Sequence, residues 1–224
     1  MKDWINYFLL AAVVGGYFLV MMIAKNVYSS QVTSAMAKGD NKHVEKLIFS
    51  KLAIFLLNHQ MLCMMRASFC VTEERYDEAK RYLGMIKLNK LSLQQTMSFY
   101  ALKMQLALSS KDFNMANEVQ NELKDQNEVY ENDDIKTMIE DNEIQIALVL
   151  DYDSSVIEKL NARVKQCKNQ DEKGLLLINL AKAYHLNGQD EEACSSLNHA
   201  KEVVTNELTL KLIDAGLKDI HILD

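Results

Sequence analysis

A short turn recurs along this chain at intervals of 35 to 40 residues, and this period restricts the possible folds strongly. The turns fall at residues 38–40, 74–76, 111–113, 151–153 and 187–189. A small or branched residue follows each turn, at Val44, Ala79, Ala116, Val156 and Ala193. Such a period is typical of helical hairpins that bury their apolar sides only by stacking on their neighbours. Since the 224 residues include no proline and only 7 glycines, a turn-rich β architecture is disfavoured. We therefore expect an all-α fold, an α-solenoid of about five hairpins.

The last hairpin carries the most complete pattern of apolar and small residues. Its members are Leu177, Leu180, Ala181, Tyr184, Gly188, Ala193, Leu197 and Ala200. Their order and spacing resemble the tetratricopeptide repeat family, in which small residues stand where the two helices of a hairpin cross. The second hairpin keeps Ala67, Tyr76, Ala79 and Leu83 of that pattern, and the third keeps Tyr100, Phe113, Ala116 and Leu123. The resemblance covers roughly residues 27–205, although the family's proline after the second helix is missing throughout.

A final amphipathic segment follows the last hairpin, over residues 207–223. Apolar residues stand at helical spacing there, at Leu208, Leu212, Ala215, Ile220 and Leu223. A terminal repeat needs a cover for its open apolar face. The segment therefore predicts a capping helix that uses these residues.

The N-terminus predicts a membrane span over residues 4–24, which contain no ionisable side chain stronger than tyrosine. At about 1.5 Å per residue a helix of this length measures about 31 Å, one hydrocarbon thickness. Trp4, Tyr7 and Lys25 stand where interfacial anchors are expected. We expect an anchor over residues 1–26 and a repeat domain over residues 27–224. A cleaved secretory signal is the alternative, but the apolar run is long for one.

Small residues recur within this segment at a spacing that favours helix association. Gly15 and Gly16 each follow an alanine by four positions, which places small residues on one helix face. Two such helices could approach closely and form a homodimer. Small residues are also common in spanning helices in general, so both interpretations stay open.

Charge predicts the side of the membrane on which the body lies. Lys25 and four further lysines up to Lys51 follow the span, against two acidic residues, and positive charge favours the cytoplasmic side. We expect a single-pass protein of the cell membrane with a cytoplasmic body and lipid contact through the N-terminal helix. An extracytoplasmic, chaperone-like subunit of an envelope or translocation complex is the alternative.

The sequence offers little catalytic chemistry. His59 and Cys63 form an i, i+4 pair within a run rich in Met and Cys, but a metal site needs three or four convergent ligands. Residues 151–155 begin like a calcium loop, yet Val156 and Ala162 replace its required glycine and glutamate. We expect no enzyme activity and no cofactor, and a net charge of −6 argues against nucleic acid as a ligand.

The resemblance implies a groove lined by the first helix of each hairpin. Met61, Met64 and Ser68 take groove positions, and flexible thioethers suit varied apolar peptides. Gln105, Lys182 and His185 complete the candidate groove. The expected function is a membrane-anchored adaptor or scaffold that binds a protein or peptide partner.

Overall fold

The computed structural model describes residues 20–35, 38–150 and 152–223, and every regular element among them is helical. The chain divides into two compact units, residues 1–110 and 111–224. This confirms the all-α prediction and a helical, repeat-like fold. Residues 4–19 of the predicted span, and with them Trp4, Tyr7, Gly15 and Gly16, lie outside the described residues. Among the helices that the structure describes, none combines the length and apolar character needed to cross a bilayer.

The described part of the first unit holds six helices. They are α1 (20–35), α2 (Asn41–Ile48), α3 (Lys51–Leu56), α4 (His59–Thr72), α5 (Tyr76–Gly84) and α6 (Leu93–Ser109), with a 3-10 turn at Leu88–Lys90. α4 packs against α5 as a hairpin and also contacts α2, α3 and α6. The core of α1 to α4 includes Tyr28, Val32, Val44, Ile48 and Leu62.

Two arginines fix the connection between α2 and α3 in this unit. Arg66 on α4 donates from Nε to the carbonyl of Ile48 at 3.0 Å. The guanidinium carbons of Arg66 and Arg75 lie 5.0 and 5.8 Å from the centre of the Phe49 ring. Cation–π contacts of this kind are favourable when the charge is partly desolvated. Phe49 therefore ties the connection to the hairpin of α4 and α5.

The second unit also consists of helices joined by short connections. They are α7 (Phe113–Tyr130), α8 (Asp133–Val149), α9 (Ser155–Gln166), α10 (Gln170–Leu186), α11 (Asp190–Val203) and α12 (Glu207–Lys218), followed by a 3-10 turn at Ile220–Leu223. α10 and α11 share the most extensive packing. Asn132 caps α8 by accepting hydrogen bonds from the amides of Asp134 and Ile135.

The predicted turns coincide with helix ends that use the left-handed backbone conformation. Gly39, Glu74, Lys111 and Gly188 have φ between 53° and 74°. At three of these ends the next amide bonds back five residues, Asp40 to Ala35, Arg75 to Cys70 and Gln189 to Tyr184. This is the pattern of a Schellman cap, which satisfies carbonyls at the end of a helix. In the fourth predicted turn, Asp151 lies outside the described residues.

The small or branched residue after each turn is buried in every case. Val44, Ala79, Ala116, Val156 and Ala193 are exposed by 2% or less. Within α10 and α11, Ala181 and Ala193 are both fully buried. The crossing of these two helices therefore has the small residues that the sequence pattern predicts.

A helix forms within the segment predicted to cap the stack, at Glu207–Lys218, but the residues predicted to be buried on it are in part wrong. Ile213 and Gly216 are the buried residues of α12, whereas Leu208 is 75% exposed. A Cβ atom added at Gly216 would stand 3.1 Å from Cδ1 of Leu197, so the helix approaches α11 closely at this point. Because of this close approach, α12 buries the face that carries Gly216, and Leu208 and Leu212 stay exposed.

Candidate interaction surfaces

The burial of the apolar residues of α1 changes at Tyr28. Beyond it, Tyr28, Val32 and Ala35 are buried in the first unit at helical spacing. Before it, Val20, Met22, Ile23 and Val27 are all more than half exposed. One helix thus joins an unpacked, mainly apolar stretch to a packed core, and Lys25 is exposed within the unpacked stretch.

A second apolar surface lies beside the exposed stretch of α1. On the short helix α3, Leu52, Ile54 and Phe55 are 53%, 63% and 65% exposed, while only Ala53 is buried. Leu52, Phe55 and Leu56 face Val20, Ile23, Ala24 and Val27 across a groove of about 580 Å³, named here the α1–α3 groove. α3 was not predicted from the sequence, since a run of six residues is too short for a periodicity to appear.

Tyr28 positions α3 next to α1. Its hydroxyl donates to the carbonyl of Leu47 at 2.6 Å and lies 2.9 Å from Oγ of Ser50. Ser50 is the N-cap of α3 and accepts a hydrogen bond from the amide of Ala53 at 3.0 Å. The start of α3 is thereby held against the point at which α1 becomes buried.

The predicted groove residues of the first unit lie on two helices. Met61, Met64 and Ser68 share one face of α4 at i, i+3 and i+7, and all three are half-buried. Gln105 is exposed on α6. The structure thus keeps the methionine pair together on a partly accessible face, named here the α4 methionine face.

The other two predicted groove residues belong to the second unit, on α10. Lys182 is half-buried, and the side chain of His185 is 9% exposed. Nδ1 of His185 lies 2.6 Å from Oδ1 of Asp190, and its ring meets that of His221 edge-on at 5.3 Å between centroids. These contacts give His185 a role in joining α10 to the start of α11 and the C-terminal 3-10 turn.

A groove of about 300 Å³ between α7, α8 and α9 was not predicted. On α8, Oε1 of Glu143 lies 3.6 Å from Nζ of Lys124 on α7, and Oε2 lies 3.6 Å from Nζ of Lys159 on α9. Gln120 is 5% exposed and lines the groove; its Nε2 donates to the carbonyl of Ile139 at 2.9 Å. Its Oε1 has no hydrogen-bond partner among the described residues. No local signal marks this groove, because its residues come from three helices.

The soft ligand pair on α4 has one buried member, Cys63, and one exposed member, His59. Sγ of Cys63 lies 3.7 Å from Nε2 of His59. Burial raises the pKa of the Cys63 thiol, although Arg66 acts in the opposite direction. A raised thiol pKa disfavours the thiolate that a metal requires. No three His, Cys, Asp or Glu side chains converge as metal ligands in the described part of the chain.

The segment that begins like a calcium loop serves as a helix start. Asp153 accepts hydrogen bonds from the amide of Ser155 at 2.9 Å and from its hydroxyl at 2.7 Å. These bonds lower the pKa of the Asp153 carboxyl. Next to it, Tyr152 donates to the carbonyl of Ala183 at 3.0 Å, and burial raises the pKa of its phenol, helped by the charge of Asp153. Tyr152 therefore connects the start of α9 to α10.

Comparison of the chain with protein-family models, with curated proteins and with solved structures found no match in any of the three.

Proposed function

We propose that this chain is a membrane-anchored protein-interaction module whose hairpins are of tetratricopeptide type. The observation that carries the proposal is the change in α1 at Tyr28, where an exposed apolar helix runs without a break into a packed helical body. Residues 20–24 of that exposed stretch are the end of the apolar segment over residues 4–24. Residues 20–24 are apolar on every face of the helix, which suits a bilayer better than water.

The binding role is supported by accessible surfaces. The α4 methionine face offers adaptable apolar contact, because thioether side chains repack easily against different ligands. The groove between α7, α8 and α9 offers a charged rim on Glu143, Lys124 and Lys159. Peptides are bound in this way, by an apolar surface with a few placed polar groups. We assign a binding role rather than catalysis to these surfaces.

Anchoring is tested first, on the full chain. We expect it to float with lipid vesicles and to stay with membranes through alkaline carbonate washing, as a spanning helix requires. A variant with Val13 and Val14 replaced by Asp should lose this property, because charges at mid-span are costly to insert. Release of the unaltered chain by carbonate would refute the proposed span.

The side of the membrane is tested by reporter fusions at the C-terminus. A reporter active only in the cytoplasm should be active, as the lysines after the span predict. Activity of an extracytoplasmic reporter instead would favour the alternative, a chaperone-like subunit of an envelope complex.

Partner binding is tested by in-cell photo-crosslinking from position 68, next to the methionine pair. We expect one or a few discrete crosslinked products, identified by mass spectrometry, that disappear when Met61 and Met64 are both changed to Glu. The control is Met85→Glu, since Met85 is an accessible methionine of the same unit that lies at the end of α5. Products that persist in the double variant would exclude the α4 methionine face as the binding surface.

A further inference from the structure

We propose that α3 lies in the headgroup layer of the bilayer and gives the chain a second contact with lipid. This inference rests on the proposed membrane anchor and adds a surface to it. The contact residues are Leu52, Ile54 and Phe55. α3 would then lie in the plane of the interface while residues 4–24 cross the membrane.

The exposure of α3 is unusual for a helix of a packed unit. Three of its six residues are large, apolar and more than half exposed. Lone exposed apolar residues are common. Here Leu52 and Phe55 line the α1–α3 groove together with Val20, Ile23 and Val27, and Ile54 is exposed next to Phe55 in the chain. A contiguous exposed apolar surface of this kind indicates a binding face.

The position of this surface identifies what covers it. One wall of the α1–α3 groove is formed by Val20, Ile23 and Ala24, which belong to the predicted span itself. Anything that covers that wall therefore lies at bilayer depth. Leu52 and Phe55 line the same groove, so lipid that surrounds the end of the span also meets α3.

The connection between α2 and α3 prevents α3 from moving away from this level. Tyr28 is 4% exposed and bonds to both Leu47 and Ser50, which lie just before the start of α3. Leu57, at its end, is buried in the core. Both ends of α3 are thus held, and its exposed side chains stay beside the first half of α1.

The charges around the surface fit a lipid interface. Lys25 and Lys51 are exposed at its edges, and residues 20–35 and 49–57 contain no Asp or Glu. Apolar residues flanked by lysine are typical of helices that lie at anionic membrane surfaces. Lys51 begins α3 and can extend toward the headgroups while Leu52 and Phe55 enter the acyl boundary.

The test uses tryptophan fluorescence of the full chain in vesicles of phosphatidylcholine and phosphatidylglycerol. Trp4 is the chain's one tryptophan, so Trp4→Phe removes the background and Phe55→Trp adds a probe on α3. The control is Tyr130→Trp in the same background, because Tyr130 is similarly exposed at the end of α7. Circular dichroism confirms that each variant stays helical.

We expect lipids brominated near the headgroup to reduce the emission of the Phe55→Trp variant by about twofold or more, with emission at shorter wavelength than in water. The Tyr130→Trp variant should emit as in water and remain unquenched.

Two results would show that the inference is wrong while the anchor stands. In the first, the protein floats with the vesicles, but the probe of the Phe55→Trp variant is unquenched and exposed to water. In the second, that probe is shielded from water but unquenched, and a crosslink forms between copies at position 55, so that a second copy covers α3. Failure of the chain to float would instead remove the proposed anchor.

Discussion

The hydroxyl of Tyr28 on α1 donates a hydrogen bond of 2.6 Å to the main-chain carbonyl of Leu47, at the end of α2. Tyr28 is also the first residue of α1 that is buried. One side chain therefore marks where the apolar helix enters the body and fixes the connection that leads into α3. We therefore expect the packing of α1 against α2 and α3 to depend on this contact.

Tyr28→Phe should weaken the packing of α1 against α2 and α3 and so lower the stability of the first unit. The change removes a hydrogen bond to Leu47 and a second polar contact to Ser50 while keeping the ring, and should cost about 1 to 3 kcal/mol because the buried oxygens lose a partner. Thermal denaturation in detergent, followed by circular dichroism, should show a lower midpoint. The control, Tyr130→Phe, removes a hydroxyl from an exposed ring and should leave the midpoint unchanged. Equal effects of both changes would contradict the role given to Tyr28.

Much of the fold follows from local patterns, and the rest depends on packing. The turns and the buried residues after them, such as Ala79 and Ala193, could be predicted because each hairpin repeats the same local geometry. The buried face of α12 could not, because leucine spacing favours Leu208 and Leu212 equally well. Only the close approach of Gly216 to Leu197 decides between the faces.

One candidate surface could be predicted from local spacing, and the others depend on packing. Met61 and Met64 share a face because helical spacing alone places them there. The groove that Gln120 and Glu143 line depends on how α7, α8 and α9 pack together. No local sequence pattern predicts that packing. α3 was missed because its capping residue, Ser50, is followed by too few residues to show a period.

The left-handed turns offer a second test of the repeat. Glu74 has φ of 58°, in a position where Gly188 has φ of 74°. A side chain in this conformation costs about 1 to 2 kcal/mol relative to glycine. Glu74→Gly should therefore raise the midpoint of denaturation, and Gly188→Ala should lower it. A lower midpoint for Glu74→Gly would show that its side chain stabilises the turn by contacts that outweigh the strain.

Gly174 on α10 makes a close contact with the residue after α11. A Cβ atom added there would stand 2.2 Å from Cγ2 of Val204, and the branched valine side chain cannot easily move aside. Gly174→Ala should cost about 1 to 3 kcal/mol through overpacking. Gly84→Ala is the matched control, since nothing lies within 4 Å of its added Cβ. If Gly174→Ala denatures at the same midpoint as the control, the two helix ends are less tightly packed than described.

The cysteines should differ in reactivity according to their burial. Cys63 and Cys70 are buried on α4, whereas Cys167 and Cys194 are half-buried. Burial raises the thiol pKa of Cys63 and Cys70, against the opposing influence of Arg66 and Arg75 respectively. In the native chain at neutral pH, iodoacetamide should modify the two α4 cysteines about tenfold or more slowly than the other two. Peptide mass spectrometry against time measures all four rates in one sample.

The same pKa shifts predict how stability depends on pH. A thiol whose pKa is higher in the folded than in the unfolded chain stabilises the fold below the unfolded pKa of about 8.5, and this contribution is lost as the pH rises through the folded pKa. The midpoint of denaturation should therefore fall between neutral and strongly alkaline pH. The fall should be smaller in Cys70→Ala, measured relative to its own midpoint at neutral pH, because that variant has one buried thiol fewer to ionise. An identical alkaline loss in Cys70→Ala and in the unaltered chain would show that ionisation of Cys70 does not contribute to it.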